Sequence, residues 1–207
     1  MKSRCLLVLT GAASLLALSA CTTTSVVSLD YVPKQGRVHG TPDFSLGKFI
    51  DKRGVPPQTL GSVRMPIGPK VDTIQTRLPV SDIVRNSFGH ALETRGMLAP
   101  DGKSRYVITG EVEDLRAQLL VHPYGFARIR VNVLESSSGR ILFTQTYQGE
   151  RQSGAYRPGS GSPVPILREL TSRALQVAVD RALDDPELRQ RLGTGGGSRP
   201  RYAPGML

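Results

Sequence analysis

Two thiols, three imidazoles and a scatter of carboxylates are what this chain of 207 residues offers to chemistry. Cys5 lies inside an apolar run and Cys21 closes it, straight after Leu18-Ser19-Ala20. Small residues before a thiol let another protein bring its catalytic groups close to the backbone, so Cys21 is the reactive candidate. His39, His90 and His122 are far apart, with no HExxH and no His-x-His pair, and no metal site is expected. Gly159-Ser160-Gly161-Ser162 is not a nucleophile elbow, because Pro163 follows it. It precedes a helix, whose free N–H groups could face an anion. Asp184-Asp185 reads as a helix-end cap, and Glu111 with Glu113 as solvent-facing strand carboxylates. No nucleophile–base pair stands out, so no catalytic residue and no cofactor are expected. Two softer groups remain. Asp51, Lys52 and Arg53 end a strand beside a long loop. Arg128 and Arg130 share a strand face with Asn132. Asp51, Arg53, Arg128 and Arg130 are therefore the candidate partner-facing residues.

The elements that position Cys21 read as a leader. Lys2 and Arg4 form a basic start, Leu6 to Leu18 an apolar stretch, and Ser19 and Ala20 a small-residue cleavage site. The apolar stretch is shorter than the roughly 20 residues a membrane span needs. Leu18-Ser19-Ala20-Cys21 resembles the lipobox of bacterial lipoproteins. That resemblance implies a diacylglyceryl group on the Cys21 sulfur, cleavage between Ala20 and Cys21, and acylation of the new amine, with palmitate a typical chain. Two or more acyl chains anchor a protein stably where one does not. Thr22, rather than Asp, follows the anchor. By the bacterial sorting rule this implies the periplasmic face of the outer membrane, with the inner membrane as the alternative.

Composition narrows the partners. The chain carries 27 Lys and Arg against 17 Asp and Glu, and loss of the leader removes two of the cations, leaving +8. A basic surface suits anionic lipid head groups or an acidic protein face. Nucleic acid is not expected, because no basic stretch is interleaved with aromatics. With Cys21 lipidated, the mature chain has no free thiol and forms no disulfide.

Residues 1–20 are the leader. Residues 21–42 carry Thr, Ser, Gly and Pro without period and read as a tether, its ends about 25 Å apart. Residues 43–192 form one domain and 193–207 a disordered Gly/Pro-rich tail. Within the domain, 43–52 is a strand with Phe44, Leu46 and Ile50 on one face. Residues 54–72 are a loop with at most a short strand at 59–65. A helix opens at Pro79 with Ser81 as N-cap, buries Ile83, Val84, Phe88, Ala91 and Leu92, and stops at Gly96. Strands follow from Tyr106, across 127–134 and across 141–148, the last two joined by Ser136-Ser137-Ser138-Gly139. A second helix opens at Pro165, and Asp185-Pro186-Glu187 caps a short third one. This order predicts an α+β fold. Its antiparallel sheet has four to five strands, with two main helices on one face and a short C-terminal helix.

The layout resembles the YajG-type family of bacterial lipoproteins. The matching pieces are Asp51-Lys52-Arg53, Leu60-Gly61, Ile74-Gln75-Thr76, Leu92-Glu93-Thr94-Arg95-Gly96-Met97, Tyr106-Val107-Ile108 and Asp185-Pro186-Glu187-Leu188. The resemblance implies an envelope location and brings no catalytic residues. Two functions are expected from the whole. The first is a lipid-anchored, non-catalytic module that docks on an envelope protein. The alternative is an auxiliary of lipid transport or cell-wall assembly that binds a lipid or glycan between sheet and helices.

Overall fold

The structure is a computed structural model, and it describes residues 23–33, 39–64, 70–100, 102–157 and 159–193. The leader, Ala20, Cys21 and the tail beyond Gly193 lie outside the described residues.

Seven strands, β1 (Thr23–Val27), β2 (Phe44–Asp51), β3 (Thr59–Arg64), β4 (Lys70–Thr76), β5 (Tyr106–Leu119), β6 (Pro123–Glu135) and β7 (Ile141–Gln152), form one sheet. Among the described residues three helices accompany them: α1 (Val80–Thr94), α2 (Val164–Leu183) and α3 (Pro186–Arg191). The sheet runs β1-β4-β3-β5-β6-β7, with β2 also on β5. It is mixed rather than antiparallel, and it has more than the four to five strands expected. β1 lies parallel to β4, and both β2 and β3 lie parallel to β5. The reason is the length of β5. Fourteen residues at about 3.3 Å each give room for two partners end to end. Its first half takes β2, from Tyr106 to Val112, and its second half takes β3, from Ala117 to Leu119.

Two stretches that read as irregular are strands. The expected tether begins with β1, in which only Val27 is buried, so it shows no alternation. In the stretch 54–72, expected as a loop with at most a short strand at 59–65, that strand is present as β3, and the start of β4 was not expected. Residues 29 and 31 also pack on the core, so the chain is held well before residue 43.

The strand at 44–51 changes phase partway along. A register shift between Leu46 and Phe49 turns Phe49 inward, at 5% exposure, and leaves Ile50 outside, at 42%. A bulge inserts one residue and flips every side chain beyond it. The expected Phe44, Leu46, Ile50 face is therefore split.

α1 buries Ile83, Val84, Phe88, Ala91 and Leu92, as the helical spacing predicts. Its cap is Pro79 rather than Ser81, with no side-chain bond, and the Pro79 carbonyl accepts from the N–H groups of Asp82 and Ile83. Gly96 then takes φ +65°, the left-handed residue that ends a helix. α2 lies directly on β6 and β7, because Gly125 and Gly149 present no side chain. A Cβ at Gly149 would sit 1.9 Å from the Ala174 carbonyl oxygen. The space between sheet and helices is filled by Phe88, Ile108, Leu115, Ile129, Leu167 and Leu175, all buried. Among the described residues no helix is long and apolar enough to cross a membrane.

Candidate functional site

Arginine is the chain's most frequent charged residue, and the structure sorts its arginines into two kinds. Arg53 and Arg95 are turned inward. Arg128 and Arg130 stand on the sheet face away from the helices.

Arg53 grips Asp51 with both ends of its guanidinium, Nε to Oδ1 at 2.9 Å and Nη2 to Oδ2 at 2.7 Å. Nη1 donates to the carbonyls of Thr59 and Leu115, at 2.6 and 3.0 Å, and Nη2 to that of Pro57 at 3.2 Å. The Arg53 side chain is 4% exposed. It fastens the 54–58 turn to β3 and β5, and it has no face to offer a partner. Burial opposes the charge on Asp51, yet the side-chain and backbone bonds from Arg53 prevail and lower its pKa.

Arg95 was not foreseen as special. Its side chain is 2% exposed, and it reaches α2 from the end of α1. Nη2 donates to Asp180 Oδ1 at 2.9 Å and Nη1 to Asp184 Oδ1 at 2.8 Å. The Tyr31 hydroxyl donates to the same Asp180 oxygen at 2.7 Å. Burial and that bond push Tyr31 up to about 12. The sequence did hold a signal. Asp180 lies among Ala178, Val179, Ala182 and Leu183 on a buried helix face, where a lone carboxylate requires a cation. The Asp184-Asp185 pair divides its work. Asp184 binds Arg95, while Asp185 caps α3 by accepting from Glu187 N–H and also accepts from the Tyr147 hydroxyl at 2.5 Å.

The outer sheet face is different. β6 alternates along its length. Gly125, Ala127, Ile129, Val131 and Val133 are buried toward the helices, and Arg128, Arg130 and Asn132 face outward. Phe126 also faces outward, yet it is only 6% exposed because its neighbours cover it. The Arg116 and Arg128 guanidiniums lie over its ring at 5.1 and 5.3 Å from the centroid. Tyr124 stacks beside it at 6.2 Å with an interplanar angle of 10°. Asp114 holds Arg116 at 2.9 Å and stands opposite Arg128 in register. Its pKa is raised, because burial outweighs the pull of Arg116, Arg128 and Arg53. Arg128 Nε is buried without a hydrogen-bond partner, while Arg130 is exposed. Asp51 and Arg53 thus form one unit, and Arg128 and Arg130 belong to another.

No family model matches the chain, and no curated protein matches it by sequence. Among solved structures it is similar to XCC0632 from Xanthomonas campestris, a protein of family DUF330. The TM-score is 0.60 at 16% identity, over 83% of this chain and 98% of that one. The two share a fold. Weaker similarities reach the hypothetical protein CT253 from Chlamydia trachomatis and a minor lipoprotein from Acinetobacter baumannii. The first gives a TM-score of 0.44 at 9% identity, over 74% of this chain and 96% of that one. The second gives 0.36 at 13%, over 64% and 92%.

A groove of about 640 Å³ lies along the outside of α2, lined by Asp30, Val32, Arg151, Arg168, Arg173 and Gln176. Its arginines are exposed, and two of them already face carboxylates, Arg173 to Glu169 at 2.5 Å and Arg168 to Asp30 at 3.9 Å. It is a charged surface cleft on the wrong side of α2 for the expected apolar pocket. Among the described residues, no three of His, Cys, Asp and Glu gather into a metal-holding group.

Proposed function

We propose that this chain is a lipid-anchored, non-catalytic module of the bacterial envelope, of the YajG type. It is lipidated at Cys21 and held at the periplasmic face of the outer membrane. Its domain docks on another envelope protein through the outer face of β5 and β6. One observation carries the reading: Leu18-Ser19-Ala20-Cys21 stands two residues ahead of a strand that is built into the sheet. The anchor therefore leads directly into the folded domain. The outer face supports the docking half. Over the covered Phe126 ring, Arg116, Arg128, Arg130 and the half-buried Tyr124 present aromatic and guanidinium groups, the types that dominate protein interfaces.

The test is photo-crosslinking in cells. A photoreactive residue replaces Arg130 in one strain and Arg173, on α2, in another. The expected result is one envelope protein captured from position 130, absent from position 173 and lost in Cys21→Ser. Lipid or glycan recovered at both positions, with no protein, overturns docking and favours ligand handling.

A further inference from the structure

The register of the sheet fixes which end of the domain meets the membrane. Thr23 of β1 pairs with Asp72, Asp72 with Val63, and Val63 with Leu119. These four residues form one cross-strand row. The start of β1 at Thr23 and the end of β5 at Leu119 therefore share one end of the sheet; in the sequence Cys21 stands two residues before Thr23 and Val121 two residues after Leu119. Two residues of chain reach at most about 7 Å. Three strand spacings of about 4.8 Å separate β1 from β5. A lipid on Cys21 is thus tied by two residues of chain to the end of the sheet that carries the β5–β6 turn.

What stands at that turn is apolar and open. Leu120 is 56% exposed and Val121 60%, and His122 beside them is exposed too. They are the only large apolar residues of the turn, and the core claims neither. The tip is braced, since the Val121 carbonyl accepts from Tyr156 N–H at 3.2 Å. Charge agrees with this placement. The neighbouring connections, 120–123 and 153–163, contain no Asp or Glu and one cation, Arg157.

We infer that the Leu120–Val121 tip is a second membrane contact, which enters the lipid headgroup layer beside the lipidated Cys21. The inference rests on the proposed lipidation. An anchor so few residues ahead of β1 brings this end to the bilayer, and exposed aliphatic side chains in a turn that holds no acid suit a phospholipid surface. The contact seats the domain upright, with the outer face of β5 and β6 turned sideways, free for a protein.

The mature chain offers no thiol besides Cys21, so a single introduced cysteine takes a fluorophore cleanly. Val121→Cys places it at the tip. Ser138→Cys places it in the β6–β7 turn, at the opposite end of β5, which is about 45 Å long. The lipidated proteins are reconstituted in vesicles of phosphatidylethanolamine and phosphatidylglycerol that carry a nitroxide on a lipid chain. Quenching at 121 with none at 138 is the expected result. One label per chain with no quenching at 121 overturns the tip contact and leaves lipidation standing. Two labels per chain show that Cys21 kept its thiol, which removes the anchor and the inference with it.

Discussion

Arg95 and Arg130 are the same side chain put to opposite uses, and the difference lies in what surrounds each. Arg95 is enclosed, with Asp180, Asp184 and Tyr31 gathered around it. Arg130 stands exposed on an open sheet, opposite Glu111 on one side and Thr146 on the other. A buried charge is tolerable only where fixed partners replace water. Arg95 therefore reports on the fold, and its loss is felt as instability. Arg130 keeps its water, contributes little to folding, and remains available to another molecule.

The largest expected effect follows from removing the inward cation. Arg95→Met leaves the Asp180 carboxylate, 3% exposed, without its guanidinium. Breaking one partner of a buried pair costs about 3–5 kcal/mol, a large share of the 5–15 kcal/mol typical of a domain. Urea unfolding of the soluble Cys21→Ser protein measures it. Adding Asp180→Leu to Arg95→Met should recover part of the loss, because the orphaned charge is then gone. A loss below 1 kcal/mol for Arg95→Met would erase the contrast between the two arginines.

Arg53→Lys ranks next. Lysine keeps the charge but loses the fork that holds Asp51 from two sides while reaching the carbonyls of Thr59, Leu115 and Pro57. A loss of about 2 kcal/mol is expected from bonds of this charged kind. Hydrogen exchange should rise first in the 54–59 turn and at the start of β3. Equal protection in both proteins would place Arg53 with the outward arginines instead.

Side-chain periodicity made the centre of this fold legible, and it left the edges obscure. α1, α2 and β6 each bury a regular face, so their pattern reports their position. β1 and β4 do not. β1 buries one residue of five, and a strand that packs so little leaves no alternation to read. Parallel pairing was equally hidden, because alternation marks a strand and not its neighbour. The bulge in β2 hid Phe49 for a local reason: it reverses the phase within one strand. Of the candidate residues, Arg128 and Arg130 were placed on the outward face by alternation alone, as observed. Arg53 was not legible as internal, since beyond Asp51 its acceptors are the backbone carbonyls of Pro57, Thr59 and Leu115, and carbonyls have no letter in a sequence. Cys21 rests on the sequence throughout.

Tyr31 tests the same network through pH. Its hydroxyl is pushed from 10 up to about 12 by burial and by the bond to Asp180. Folding favours the neutral phenol, so this contribution is intact below pH 10 and is lost as pH rises through about 12. Tyr31→Phe should be less stable than the parent at neutral pH. The gap between the two proteins should shrink between pH 10 and pH 12, read from denaturant midpoints at each pH. A constant gap would show that the Tyr31 hydroxyl contributes nothing specific to the Arg95 network.

The smallest expected change in stability is also the most telling for function. Arg130→Gln should shift stability by no more than about 0.5 kcal/mol, the usual range for an exposed substitution away from caps and cores. Its effect belongs elsewhere. If the outer face docks a protein, removal of this charge should weaken capture from a neighbouring outward position such as Asn132, and should do so more strongly at low salt, where exposed charges are least screened. Arg95→Met compared at a temperature where it remains folded should leave that capture unchanged, because its cation never reaches the surface. The two substitutions thus separate along different axes, stability for one and capture for the other. Only an outward arginine that docks gives unchanged stability together with lost capture.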